Sequence, residues 1–415
     1  MKYRLLNILV CPVCGGNLHP TVMRERWIEE HSGNPRQPCT ACCWNEQDAA
    51  FAGRCTECMQ REIVDGILNC ACGLRYPIVN AVPVMLQDGC RLSAENEQTQ
   101  QRFGYEWTRY PACFAEEEER IFFDETQFEP SELNGRLILD AGCGMGRFTR
   151  VAGSRGGEVI GVDLSESVLS AYKLTEHMPN VHIVKADLMR LPFKDASFDS
   201  VYSLGVLHHT PSTEKTFSAL VRKLKTGGLL SVWVYGTAGR YADFITNPLR
   251  PDRARFIRHA LTQRVYWLLV LLRERGSNVL RRITVSMPHK VLYAFCHVLA
   301  LLGKAPLVKY CTFSVHPDWR VRLLENFDWL APPFQYHHTK EEMLAWCVKE
   351  GIAIERMLQH GFIPKVGMRG VKKKVMIYCG GTAYTRIVFA CRLNSFNSKK
   401  PSPMWGIYRS VMMIY

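Results

Sequence analysis

Three acidic residues stand at the ends of short apolar runs, and a glycine turn follows the first. Residues 136–140 (RLILD) lead into Gly142, Gly144 and Gly146, while 158–163 (EVIGVD) and 181–187 (VHIVKAD) end on Asp163 and Asp187. Glycines at such a turn permit angles that a Cβ opposes and let bare backbone approach a ligand. The GxGxG order after Asp140 differs from the pyrophosphate fingerprint. Asp163 lies twenty-three residues beyond Asp140. An acid there accepts both hydroxyls of a ribose. Asp187 is placed to accept from an adenine amino group, with the Leu188 N–H donating to a ring nitrogen. The competing interpretation makes these acids N-caps and turn residues.

A second chemistry lies upstream. Seventeen cysteines occur in the chain, ten of them in the first ninety residues. Cys11-Pro-Val-Cys14 and Cys70-Ala-Cys72 offer two close thiolate pairs, the donor set of a tetrahedral zinc site. Cys39, Cys42, Cys55 and Cys58 have the spacing of a second site, so one or two zinc ions are open. No open coordination position is suggested, and the metal is expected to be structural. Close CxxC pairs in a chain without an evident signal or membrane span predict a reduced, cytoplasmic setting, with peripheral membrane contact left open.

A third group follows the fourth apolar run, 198–204 (FDSVYSL). His208 and His209 are candidate general bases near neutral pH. The alternative is that Leu-His-His starts a helix and a histidine packs locally. Farther along, 334–338 (FQYHH) is a candidate lining of an acceptor pocket.

These residues need a scaffold. The four runs and a fifth, 228–235 (GLLSVWVY), alternate with helical stretches, the pattern of parallel βαβ units. Ser165 is a plausible cap for the helix after Asp163. Right-handed crossovers bring the strand C-termini to one edge, where ligands bind. The expected fold is α/β, a Rossmann-like sheet with a small N-terminal zinc-binding domain and a helical C-terminal region.

The motifs LDAGCGMGRF, VIGVDLS, ADLMRLPFKDASFD and VYSLGVLHHTP resemble the class I S-adenosylmethionine (SAM) dependent methyltransferases, most nearly the branch with the ubiquinone/menaquinone-biosynthesis enzymes. The resemblance covers about residues 98–236. It implies SAM as cofactor, held by Asp140, Gly142, Gly144, Gly146, Asp163, Leu164, Asp187, Leu188 and Leu204. Lys225 stands where the family usually has proline before two glycines. The frame LLNILVCPVCGG … LNCACGLRYPIVNAVPVM is similar to the small zinc-binding activator of tRNA and protein methyltransferases, with Asn80-Ala81 in place of the usual Asp-Gly. The aromatic segment 103–107 (FGYEW) is expected either to fold over the SAM pocket or to pack on the sheet.

The chain has 415 residues, enough for two or three domains. The expected division is a cysteine-rich module at 1–90, a helical flank at 91–133, the SAM-binding core at 134–240, a helical insertion with the end of the catalytic domain at 241–370, and a basic tail at 371–415. A formal charge of +13 is concentrated late: twelve Lys/Arg fall between Arg250 and Lys309 against Asp252 and Glu274, and no acid follows Glu355. RNA, an anionic membrane surface, or simply a solvated helix face accounts for such a region. Two functions result: methylation of a small-molecule or lipid-like acceptor, or methylation of RNA. SLGVLHHT lacks the Asn/Asp-Pro-Pro-Tyr pattern of many enzymes acting on exocyclic base amines, which favours the first. A vestigial SAM site with a partner-binding module is the non-enzymatic alternative, disfavoured by the intact glycine turn and acids.

Overall fold

The computed structural model describes residues 1–28, 61–86, 93–107, 115–237, 260–305, 312–314, 316, 318–357 and 365–374. Cys39, Cys42, Cys55 and Cys58 lie outside the described residues, as does nearly all of the tail.

The five expected runs are strands: β5 (Leu137–Ala141), β6 (Glu158–Asp163), β7 (Val181–Lys185), β8 (Phe198–Leu204) and β9 (Leu224–Tyr235). β9 begins four residues earlier than the apolar run predicts. The main sheet has seven strands in the order β10-β11-β9-β8-β5-β6-β7, with β10 spanning Ile352–Met357 and β11 Lys365–Lys372. β5 is parallel to β6 and β8, and β9 to β8. β11 runs antiparallel to β9 and β10. It also crosses residue 371, so the expected start of the tail falls inside a sheet strand. The chain leaves β5 in opposite directions on its two sides, which creates a crevice outside the strand ends.

Apolar layers cover both faces. Ile138, Val159 and Tyr202 meet Phe122 and Phe148 on one face. These phenylalanines come from helices α2 (Ala115–Thr126) and α3 (Arg147–Ser154). On the other, Leu139, Val162 and Val232 are continuous with Leu5, Leu9 and Tyr76 of the cysteine-rich module.

That module is a four-stranded antiparallel sheet of β1 (Leu18–Trp27), β2 (Arg61–Cys70), β3 (Arg75–Val79) and β4 (Val82–Pro83). The tight turn between β3 and β4 forms without glycine: Asn80 and Ala81 both take left-handed angles (φ 51° and 63°). Asparagine tolerates this region, while alanine pays about 1–2 kcal/mol for it. The module docks on the β7 side of the main sheet through backbone bridges, Val84 with Lys185 and Leu9 with Phe193.

The opposite ground, over the strand C-termini, is covered by helices α1 (Ala94–Trp107), α6 (Ala260–Thr284), α7 (His289–Leu302) and α8 (Trp319–Leu330). Arg102 of α1 is buried and joins them. Its guanidinium donates to the carbonyls of Val285, Met287, Thr284 and Ala331. Among the described residues no helix is long and apolar enough to cross a membrane.

Candidate functional site

The glycine turn links β5 to α3. Gly142, Gly144 and Gly146 have φ of 90°, 52° and 85°, where a side chain is strained. A Cβ on Gly142 would stand 2.4 Å from the Val206 side chain, and one on Gly146 2.9 Å from Ala171. The turn is thus pressed between the loop after β8 and the helix after β6, and only glycine fits.

Asp163 closes on this turn. Its Oδ2 accepts from the Gly144 N–H at 3.0 Å, and its Oδ1 accepts from the Ser165 N–H and hydroxyl at 2.9 and 2.7 Å. The helix after it, α4 (Ser167–Thr175), starts later than the expected cap at Ser165. Ser165 still accepts from the Ser167 N–H at 3.3 Å while it orients Asp163. Asp187 does act as an N-cap, its Oδ1 accepting from the Met189 N–H at 2.8 Å in a single 3-10 turn that begins with Leu188. A carboxylate has two oxygens, so capping with one leaves chemistry for the other. Leu164 and Leu204 flank the ends of β6 and β8.

Asp140 sits behind the turn. It is buried, and its Oδ2 accepts from the Thr149 hydroxyl at 2.6 Å. Burial pushes its carboxyl up to about 7, against the pull of Thr149. It therefore braces the turn against α3 from inside.

His208 and His209 occupy a short 3-10 turn after β8, and both are buried. His208 Nδ1 accepts from the Tyr235 N–H at 3.4 Å, and His209 Nδ1 lies 2.9 Å from the Phe334 carbonyl. Neither Nε2 has a hydrogen-bond partner among the described residues. Burial holds His208 well below the ordinary histidine range and His209 at about 3, the latter opposed by the Phe334 carbonyl. Both imidazoles are neutral near pH 7. Local packing also applies: His208 lies 3.9 Å from the Tyr235 ring and His209 5.3 Å from Phe103.

The segment 334–338 is brought to the same place. The Tyr336 N–H donates to the His208 carbonyl and the His338 N–H to the Tyr235 carbonyl. The aromatic segment 103–107 closes α1 above them. Its Gly104 packs on Ser165 and Glu166, so α1 crosses the end of β6.

Two acids of this region are invisible to motif reading. Glu106 of α1 is buried, and Asp328 of α8 accepts from the Tyr235 hydroxyl at 3.2 Å. Glu106 falls in a polar, acidic stretch that reads as solvated; only the aromatics at Phe103, Tyr105 and Trp107 around it signal an inward face. Asp328, between Phe327 and Trp329 in ENFDWL, carries the same weak signal.

The four cysteines Cys11, Cys14, Cys70 and Cys72 converge, their sulfurs all within 4.8 Å of one another. Cys11 and Cys72 are 3.8 Å apart and Cys14 and Cys70 3.4 Å. Four thiolates around tetrahedral zinc stand about 3.8 Å apart, so the set fits the ion. The Tyr76 hydroxyl lies 3.2 Å from Cys11 Sγ, a natural outer partner.

Two family models match separate parts of the chain. Residues 139–232 match a family model described as a methyltransferase domain, and residues 2–80 one described as Trm112p-like protein. An uncharacterized chloroplastic methyltransferase of Arabidopsis thaliana is 33% identical over 135 residues, covering 30% of this chain and 38% of that protein. A tRNA U34 carboxymethyltransferase of Pseudoalteromonas atlantica is 34% identical over 112 residues, 26% of this chain and 34% of its own. A sterol 24-C-methyltransferase of Eremothecium gossypii is 32% identical over 120 residues, 28% and 32%. The chain spans about a third of the length of these relatives. A solved complex of the Trm112 methyltransferase activator of Haloferax volcanii with a methyltransferase superposes with a TM-score of 0.38 at 13% identity, over 68% of this chain and all of that one. Residues 139–232 are a methyltransferase domain, and residues 2–80 are a Trm112p-like module carried on the same chain.

Proposed function

We propose that the chain transfers a methyl group from SAM to a small-molecule or lipid-like acceptor at the edge formed by β5, β6, β7 and β8. One observation carries this: a glycine turn that tolerates no Cβ at two positions, with Asp163 directly against it. The residues present fit the adenosyl cofactor, because a backbone cradle and carboxylates at successive strand ends match an uncharged ribose and adenine without calling for phosphate ligands. Bound SAM supplies an electrophilic methyl on a cationic sulfur with a good leaving group. The chain's part is then mainly orientation. Asp163 and Asp187 fix the nucleoside, Gly142, Gly144 and Gly146 admit it, and Asp140 stiffens the turn. α1 lies across the edge and excludes water. His208 and His209 line the acceptor side as neutral rings; their burial makes the imidazolium costly, so they position rather than accept protons.

We assign Cys11, Cys14, Cys70 and Cys72 to one structural zinc that holds the module together. The methylated acceptor of sterol type in one relative supports a lipid-like class. The tRNA-directed relative and the basic helices favour RNA as the second reading, while the absence of an Asn/Asp-Pro-Pro-Tyr pattern after β8 weighs against it.

Calorimetry with SAM tests the main reading. Saturable binding is expected for the wild type, with affinity lost in Asp163→Ala; equal affinity in the two proteins overturns the assignment. Labelled SAM offered with a lipid extract and with total RNA then separates the acceptor classes.

A further inference from the structure

Helix α6 is reversed for a helix packed on a protein. Such a helix normally turns its apolar face to the core and its polar face to water. On α6 the inward side holds Arg273, Ser277, Arg281 and Thr284 with Val270, all buried. Polar contacts hold that side down. Arg281 donates to the Pro332 carbonyl at 2.6 Å, the Thr284 hydroxyl donates to the Leu330 carbonyl at 3.0 Å, and Arg273 lies over the Trp329 ring at 5.6 Å. Outward stand Leu261, Val265, Leu268, Leu272, Val279 and Ile283, with Leu261 75% exposed, Val279 62% and Ile283 59%. At about 100° per residue these six fall within about 60° of arc, away from the buried residues. Arg264, Arg275 and Arg282 are exposed as well. They follow one another at intervals of eleven and seven residues, which sets all three along one border of the apolar stripe. The one acid of α6 is half-buried Glu274, which lines a narrow inner cleft with Val270, Arg273, Gly236, Trp329 and His337. α7 contains no acid; Val298, Leu301 and Leu302 are exposed on it, with Lys290 and Lys304 near its two ends.

We propose that the outer face of α6 docks on an anionic lipid bilayer, lying flat with its aliphatic stripe among the acyl chains and its arginine border at the headgroups. A contiguous apolar stripe left in water marks an interaction surface. Charge selects the partner: the border is basic, the face carries no acid, and anionic headgroups attract such a helix. RNA would meet the arginines equally well. It binds proteins through phosphates and through bases stacked on aromatic faces, so six aliphatic side chains would stay in water. A second copy of the chain would bring the same basic border, with no acid on this face to meet it. The surface goes beyond the methyltransferase reading and does not depend on it. One consequence does rest on that reading. The cleft on the inner side of α6 reaches Gly236, the residue after β9, and His337. Adsorption therefore sets the acceptor side beside the bilayer, from which a lipid-like acceptor can be drawn.

Co-sedimentation of the full chain with vesicles tests this. Two compositions are compared, phosphatidylcholine alone and phosphatidylcholine with about one-third phosphatidylglycerol. L268Q/L272Q breaks the stripe, R264Q/R275Q/R282Q removes the border, and M23Q, at exposed Met23 of β1, is the control. All these side chains are exposed, so melting followed by circular dichroism and binding of S-adenosylhomocysteine should match the wild type. V279Q/I283Q, at the far end of the stripe, repeats the test if the first pair melts early. The wild type is expected to bind the anionic vesicles roughly tenfold or more tighter than the neutral ones. The stripe variant should lose roughly tenfold in that affinity, the arginine variant about fivefold for each charge removed, and M23Q nothing. No binding of anionic vesicles by the wild type, or unaltered binding by a folded stripe variant, overturns the proposal. Loss in the arginine variant alone, with poly-uridine RNA bound more tightly than vesicles, also overturns it and makes the face an RNA surface. So does a dimer that L268Q/L272Q dissociates while the wild type ignores vesicles, which makes it a subunit contact. Failure to bind S-adenosylhomocysteine would strike the methyltransferase reading and leave vesicle binding to be judged by itself.

Discussion

The module that docks beside β7 and the helical cap over the strand ends both bury charge, but they treat it differently. At the module edge every charge named here is met. Lys2 Nζ donates to the Met178 and Val181 carbonyls at 2.7 and 2.5 Å, and Arg4 grips Glu158 with two bonds of 3.0 and 3.2 Å. Burial opposes ionisation of Glu158, yet His182 and Arg4 outweigh it and hold the acid at about 2. Met85 and Val10 add backbone bonds of 2.8 and 2.9 Å to Lys185 and Pro192. In the cap, Arg102 is satisfied, while Glu106 there, and the Nε2 atoms of His208 and His209 in the turn after β8, are left without partners among the described residues. A contact that only has to hold can pair its charges, although both ring nitrogens of buried His182 lack a hydrogen-bond partner among the described residues. A surface that has to receive a ligand keeps some in reserve, at a cost to stability.

That contrast makes distinct demands on mutants. The largest effect is expected from metal removal: chelation, or Cys11→Ser with Cys70→Ser, should unfold the module, because metal binding and folding are one equilibrium in so small a sheet. Metal analysis should find at least one zinc per chain, and a folded, metal-free wild type would remove the assignment. Next comes Arg102→Met in the cap. Four carbonyls lose a charged donor, at about 1–3 kcal/mol for each one left buried and unpaired, and SAM affinity should fall with stability, as read by denaturant titration and calorimetry. Lys2→Met tests the other side of the comparison. It strands two buried carbonyls for about 1–3 kcal/mol yet should leave SAM affinity unchanged; a matching loss of affinity would mean that the module shapes the pocket.

Near neutral pH the smallest effect is expected at His209, whose contribution appears only in acid. His209 has a folded pKa of about 3, depressed by burial from the ordinary 6.5. The unfolded chain therefore binds a proton that the native one refuses as pH falls below 6.5, and stability drops through the range down to about 3. His209→Asn should flatten that limb of a melting-temperature profile. An unchanged profile would show the ring is not kept neutral by burial.

Much of the nucleotide-like edge was legible beforehand, for a physical reason. Glycines where no Cβ fits and acids at strand ends are demands of local backbone geometry, and local geometry is written in short segments. The order LDAGCG, EVIGVD and VHIVKAD was enough to mark out β5, β6 and β7 and to put Asp163 at the end of β6, while its contact with the Gly144 N–H came only from the structure. The same local logic also misplaced the start of α4 by one residue, since Ser165 serves the Asp163 carboxylate while Glu166 is the N-cap. β11 was missed because KVGMRGVK lacks a strong apolar alternation. It is a strand because β9 and β10 supply partners on both sides.

The pairing of Cys11 and Cys14 with Cys70 and Cys72 was likewise fixed by spacing and thiolate chemistry, but its meeting with the main sheet was not. Lys2 finds carbonyls nearly 180 residues away in sequence, and no periodicity encodes such a contact. Glu106 and Asp328 make the same point more strongly. Each is an unremarkable acid in its own helix, and only tertiary packing buries Glu106 and sets Asp328 against the Tyr235 hydroxyl. The sequence alone thus determined the sites made by neighbouring residues: the glycine turn, the strand-end acids and the thiolate pairs. Tertiary structure alone decided which charges are buried and which are satisfied, because desolvation depends on everything that surrounds a group and not on what precedes it in the chain.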